Sequence, residues 1–161
     1  MAKQHGRIID SWKVSGVGIR THIPTYHVVK SSKYGIFEGS VTPCKQDYEN
    51  INDWDGYRFA ERKCDIEITH AKAKVLRERA KGILDLHKTL HTKYKATKQY
   101  ELADVLADIY YQYELAQKEY EKVYQQYKYM KESFSDYTTR MIKRRLEVQE
   151  KVGKIHNQPS S

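Results

Sequence analysis

The sequence predicts an α+β chain, mostly α, with a small N-terminal β-hairpin packed on a long antiparallel helical hairpin or coiled coil. Three observations carry this. Apolar or aromatic residues recur without a miss at Leu102, Leu106, Ile109, Tyr113, Ala116, Tyr120, Val123, Tyr127, Met130, Phe134, Tyr137 and Met141. That alternation of four and three is an a/d heptad repeat, which a lone buried helix does not keep for so long. No proline falls between Pro43 and Pro159, a span permissive for helix. Ahead of both, residues 25–42 are β-branched and aromatic with period-two alternation.

In chain order, residues 1–24 carry Gly6, Gly16, Gly18 and Pro24 without periodicity and read as an arm or loosely attached strands. Gly16-Val17-Gly18 is not a phosphate loop, because the third glycine and the following helix are missing. The hairpin follows, with Lys30–Lys33 as its turn and Tyr34 to Val41 as the return strand. Alternation puts Phe37, Gly39 and Val41 on one face and Ile36, Glu38 and Ser40 on the other. Residues 42–56 form a turn-rich acidic connector in which Asn52, Asp53 or Asp55 serves as N-cap. A first helix runs from Tyr57 to about residue 94, with a seam that drifts from Cys64, Ile68, Ala71 and Val75 to Leu76, Ala80, Ile83, Leu86, Leu90 and Tyr94. Gly82 marks a bend or a close contact in it. The register breaks between Tyr94 and Tyr100, which predicts the turn, and the heptad helix follows. Three segments result: residues 1–56 (arm, hairpin, connector), 57–152 (helical hairpin) and 153–161 (flexible tail).

Composition restricts the function classes. The apolar share of 39% and a mean hydropathy of −0.85 are poor for a globule and adequate for helices that concentrate apolar residues on a stripe. Fourteen of the aromatics are Tyr, and the aromatic share of 12% argues against disorder. No segment is long and apolar enough to span a membrane, and no secretory signal is visible; two cysteines make no disulfide framework, so a cytoplasmic setting is expected. The net charge of +8 is distributed in blocks: +5 over residues 1–34, −4 over 35–56, +7 over 57–98, −4 over 99–137 and +4 over 138–161. A basic helical block followed by an acidic one suits two helices folded back on each other.

No nucleophile, base and orienting group are assembled by any motif in the sequence, so an enzyme is not expected, nor is a cofactor. His87 and His91 stand four apart on one helical face, but nothing nearby completes a metal site, so they read as structural or solvated. Cys44 and Cys64 read as buried thiols. Two basic clusters could contact phosphates: Lys72, Lys74, Arg77, Arg79 and Lys81 on the first helix, and Arg140, Lys143, Arg144 and Arg145 near the C-terminus. Interleaved acids, Glu78, Asp85, Glu147 and Glu150, dilute both. Trp54 and Tyr57, with Arg58 and Arg62 one turn apart, are the residue types that anchor interfaces and form the candidate partner-binding site.

The runs Gly39-Ser-Val41-Thr-Pro-Cys44-Lys-Gln-Asp47 and Gly56-Tyr-Arg-Phe-Ala60-Glu-Arg62 resemble a module of small bacteriophage proteins and are similar in part to the Thoeris anti-defence proteins of phages, which sequester a cyclic nucleotide signal. The resemblance spans about 30 of the 161 residues; Pro43 before the cysteine, no Pro before Asp47 and the long helices behind the module are departures from it. It implies that Gly56 is a close-approach glycine and that Arg62 binds an anion. The expected function is a non-catalytic, phage-type binding or inhibitor protein that blocks or sequesters a component of bacterial host defence. Its expected partners are a second copy of itself and a host defence protein or its nucleotide signal. The alternatives are a basic nucleic-acid-binding accessory protein and a coiled-coil structural or assembly factor. Whether the heptad seam closes within one chain or between chains is left open by the sequence.

Overall fold

The structure is a computed structural model that describes residues 6–15 and 23–156. Three strands, β1 (Arg7–Ser15), β2 (Pro24–Ser32) and β3 (Gly35–Val41), precede four helices: α1 (Lys45–Glu49), α2 (Asp53–Thr97), α3 (Glu101–Met130) and α4 (Phe134–His156). The fold is α+β and mostly α, with a small antiparallel sheet packed on long helices. The chain forms two compact units, one of Met1–Asp65 with Glu132–Ser161 and one of Ile66–Lys131.

In the first unit the sheet has the order β1-β2-β3, antiparallel throughout. The strand β1 lies where the sequence suggested an arm or loose strands, and it is registered along β2 from Arg7↔Ser31 to Ser15↔Pro24, with an irregularity between Ile8 and Asp10. The expectations for Gly16–Gly18 and for residues 157–161 of the tail lie outside the described residues, whereas residues 153–156 are the last turn of α4. The hairpin turn sits later than Lys30–Lys33. Ser32 pairs with Gly35 across a two-residue loop, Lys33-Tyr34, and the Ser32 hydroxyl accepts from the Tyr34 N–H and donates to the Gly35 carbonyl. Gly35 supplies the left-handed φ of +127° at the loop exit. Lys30 is unavailable for a turn because it is buried, its ammonium 2.5 Å from Asp65 and 3.5 Å from Glu61 of α2.

The inner sheet face follows the alternation read from sequence: Gly39 and Val41 are buried and Phe37 half-buried, while Ile36, Glu38 and Ser40 are not. Tyr26, Val28 and Val41 pack with Phe59, Ala60 and Cys64 of α2 and Tyr137 of α4, with Phe134 and Met141 at the margin. Phe59 and Cys64, assigned from sequence to the helical part, therefore complete the core of this first unit, the head. A Cβ on Gly39 would lie 2.1 Å from the Ala60 carbonyl oxygen and 3.1 Å from the Cys64 sulfur, so strand and helix touch backbone to backbone. The Cys64 thiol donates to the Val28 and Phe37 carbonyls, and burial pushes it up to about 11. Cys44, expected to be buried, is exposed and donates to Asp47, because it sits at the open start of α1.

In the second unit the rest of α2 and all of α3 form an antiparallel pair about the turn at Lys98–Tyr100. His70 stacks on Tyr127, Ala73 and Leu76 cluster with Tyr120 and Val123, and His87 meets Tyr110, so advance along one helix matches retreat along the other. Every heptad position of α3 is buried or half-buried, and nearly every other residue of the helix is exposed. The seam therefore closes within one chain. The heptad is not one helix, however: the chain breaks at residues 131–133, and Phe134, Tyr137 and Met141 restart in α4 to fill the head. The connector also gains α1, five residues long, which the Asp47 carboxylate ties to the Ser135 hydroxyl of α4 at 2.7 Å.

Two glycines give opposite expectations. Gly39→Ala should destabilise the protein by about 2 kcal/mol or more, since a backbone carbonyl must move. Gly82→Ala should stabilise it by up to about 1 kcal/mol, because its Cβ meets open space in a helix interior. Urea unfolding of the two variants checks both; equal and small effects would contradict the packing described.

Candidate interaction site at the start of α2

The first turn of α2 gathers polar partners from three other elements. Asn52 caps it: its Oδ1 accepts from the Asp55 N–H at 2.9 Å, and the Asp55 carboxylate accepts from the Asn52 N–H at 3.2 Å. This reciprocal capping box, two acids in the first turn included, is what an Asn-x-x-Asp start favours. The Asp55 side chain is buried and its other oxygen takes the guanidinium of Arg145 from α4. Asp53 accepts from the Tyr26 hydroxyl at 2.7 Å and from the Lys13 ammonium at 3.1 Å. The hydrogen bonds from Tyr26 and then Lys13 hold its carboxyl below the ordinary 3.8. Burial, and then that same bond, hold the Tyr26 phenol well above its ordinary value. Next along the helix, a Cβ on Gly56 would lie 2.5 Å from the Tyr26 ring, so this glycine sits flat against it.

On this frame the four candidate partner-binding residues separate. Trp54 is 65% exposed, and the Arg58 guanidinium lies over its ring at 5.7 Å from the centroid. Arg58 also hydrogen-bonds the Tyr137 phenol, whose pKa burial raises and Arg58 draws back. Tyr57 is half-buried, edge-on to Tyr26 at 5.2 Å. Arg62 faces inward to Glu132 at 3.0 Å, and Glu132 also holds Arg140 at 2.7 Å. The exposed pair is thus Trp54 with Arg58; Tyr57 and Arg62 bind elements of the head together.

The basic candidates separate too. On α2 each residue just after a seam position falls on one flank of the hairpin and each residue just before it on the other. Lys74, Arg77 and Lys81 share the first flank with Lys88 and Lys95, and across α3 with Tyr110 and Tyr124. Lys72 and Arg79 lie on the second. Near the C-terminus, Arg140 and Arg145 are engaged by Glu132 and Asp55, and Arg140 also lies over the Tyr137 ring. Lys143 and Arg144 are exposed; Arg144, with Met141, Arg145, Val148 and Gln149, borders an open cavity of about 300 Å³. His87 and His91 stack on each other at 5.9 Å, and no group of three or more His, Cys, Asp or Glu able to hold a metal occurs among the described residues. No helix of the described residues is long and apolar enough to cross a membrane.

Sequence reasoning missed Lys13 and Arg145 as parts of this corner and named Asp53 only as an alternative N-cap. The Asn52-x-x-Asp55 spacing announced the cap, but partners 40 and 90 residues away in the chain left no local signal.

The Asp53 contacts predict a pH dependence. A carboxyl depressed in the folded state stabilises the fold above its unfolded value and loses that contribution as pH falls through the folded one. The gap in melting temperature between the protein and Asp53→Asn should therefore be constant near neutrality and close as pH falls below the ordinary carboxyl value of 3.8. A gap independent of pH would show that the carboxylate form is not what Tyr26 and Lys13 hold.

Comparison with family models, curated proteins and solved structures finds no match to this chain.

Proposed function

We propose that the chain is a non-catalytic binding protein of phage type, which blocks or sequesters a component of bacterial host defence in the host cytoplasm. The observation that carries this reading is the exposed Trp54 ring beneath the Arg58 guanidinium. A large ring left in water forgoes roughly 2 kcal/mol of burial, which a partner would recover. Interfaces concentrate their energy in Trp and Arg, the more so when the free side chains are already ordered. Here the ordering is supplied by the capping box, by Arg145 on Asp55 and by the Tyr137 hydroxyl on Arg58. The phage resemblance, over Gly39–Asp47 and Gly56–Arg62, supports the defence setting. Arg62 is the less suitable anchor, because an anionic partner would have to displace Glu132.

Trp54→Ala and Arg58→Ala should keep the melting temperature within a few degrees and lose capture of the partner from bacterial lysate. Expressed in cells that carry a Thoeris system, the unaltered chain should restore phage plating and Trp54→Ala should not. Plating unchanged by the unaltered chain would overturn the defence reading; capture unchanged by both substitutions would overturn the site.

One observation favours a second reading, an accessory protein that contacts nucleic acid. The flank with Lys74, Arg77, Lys81, Lys88 and Lys95 runs beside the exposed Tyr110 and the partly exposed Tyr124, and charge interleaved with aromatics suits a single strand. Changing Lys74, Arg77 and Lys81 together to Gln should weaken binding to oligonucleotides at low salt and lower the salt slope by about two. Equal binding by the triple variant and the parent would remove this reading.

A further inference from the structure

We propose that the opposite flank of the α2–α3 hairpin is a self-association surface, on which two copies form an antiparallel four-helix bundle with the two-fold axis parallel to the helices. The seam is satisfied inside one chain, so it leaves no surface for a second copy; the flank just before it does. Val75 and Leu86 of α2 and Val105 and Leu115 of α3 are 53%, 51%, 45% and 44% exposed, although each is a large aliphatic side chain. All four occupy the position immediately before a residue of the observed seam, Leu76, His87, Leu106 and Ala116; Val75 and Leu86, which the sequence placed in the seam, lie one residue off it. In an antiparallel pair, positions that precede the seam on both helices lie on the same side. The four aliphatics therefore make one apolar stripe along one face rather than scattered exposures.

Charge decides what covers it. On the α2 edge of this face stand Arg79 and Lys93, with no acid among the preceding-seam positions from 72 to 93. On the α3 edge stand Glu101, Asp108 and Glu119 against a single base, Lys122. The α2 row of this face is therefore basic and the α3 row predominantly acidic, with the aliphatics interspersed along both. Two copies can meet on it in two symmetric ways. An axis across the helices lays α2 on α2, basic on basic. An axis along the helices lays α2 of one copy on α3 of the other, basic on acidic, at unchanged height. Only the second is complementary.

The heights also match. Pairing of His70 with Tyr127 and of His87 with Tyr110 sets Gly82 level with Leu115 and Arg79 level with Glu119. In the complementary arrangement Gly82 of one copy thus meets Leu115 of the other, and open space is what surrounds Gly82 now. A glycine in the interior of a 45-residue helix, with no neighbour of its own, becomes the hollow that takes the partner's leucine. The 30 residues of α3 rise about 45 Å, and two helices side by side make a face on the order of the 800 Å² each partner contributes to a stable interface.

The test uses the full chain in sedimentation equilibrium. The parent should show twice the 19.1 kDa chain mass. Arg79→Glu alone and Glu119→Arg alone should each weaken the dimer by about tenfold or more, since each places like charges opposite each other twice. Mixing the two variants should restore it, because each then offers the charge that the other lacks at both contacts. Gly82→Phe should give monomers with unchanged helicity by circular dichroism. A monomeric parent at high concentration would overturn the proposal. So would a mixture no tighter than its components, the result expected if Arg79 and Glu119 act within one chain, or a Gly82→Phe variant that still dimerises.

Discussion

The contact on which the head depends is the backbone approach of β3 to α2 at Gly39 and Ala60. With no side chain at Gly39, the helix carbonyl comes within the space a methyl would fill. That distance sets the height of α2 above the sheet, and the rest of the packing follows from it. Only at that height does the Cys64 thiol reach the Val28 and Phe37 carbonyls, and only then does the Lys30 ammonium reach Asp65 and Glu61. A buried lysine is tolerable when its counter-charges are this close, and breaking such a pair from one side is among the more damaging changes a small core can suffer.

The start of α2 shows the same economy in polar form. Asn52 and Asp55 satisfy each other's backbone donors, Asp55 spends its remaining oxygen on α4, and Asp53 reaches β1 and β2. Three other elements are therefore fixed to one helical turn by carboxylates that the helix dipole already favours. Trp54 is the residue of that turn that faces away from every one of them, which is why its exposure reads as a surface feature of an ordered site rather than of a loose end.

The parts legible in the sequence were those with a repeat. The helical class, the alternation of β3, the position of the turn between α2 and α3, and the inward positions of α3 all follow from spacing that a reader can count. The parts that were not legible depended on partners far along the chain. β1 has no alternation of its own and is ordered by its ladder with β2. The hairpin turn is displaced because Lys30, a turn-like residue locally, is claimed by α2. The break at residues 131–133 is invisible to the heptad, since Phe134, Tyr137 and Met141 keep its phase while changing the core they serve. Arg62 and Arg145, which look like free cations in the sequence, are held by Glu132 and Asp55.

The two thiols, alike in sequence, differ sharply in what they report. Cys44 is open to solvent and available to a maleimide or a disulfide partner at once. Cys64 is fully enclosed, held up at about 11 and hydrogen-bonded to two strands, so a reagent meets it only after sheet and helix part. Its modification rate is consequently a clock for opening of the head, set by the free energy of that local event when reclosing outruns the reagent. With Cys44 replaced by serine, Cys64 is the one thiol left in the sequence, a probe of that opening already built into the packing it measures.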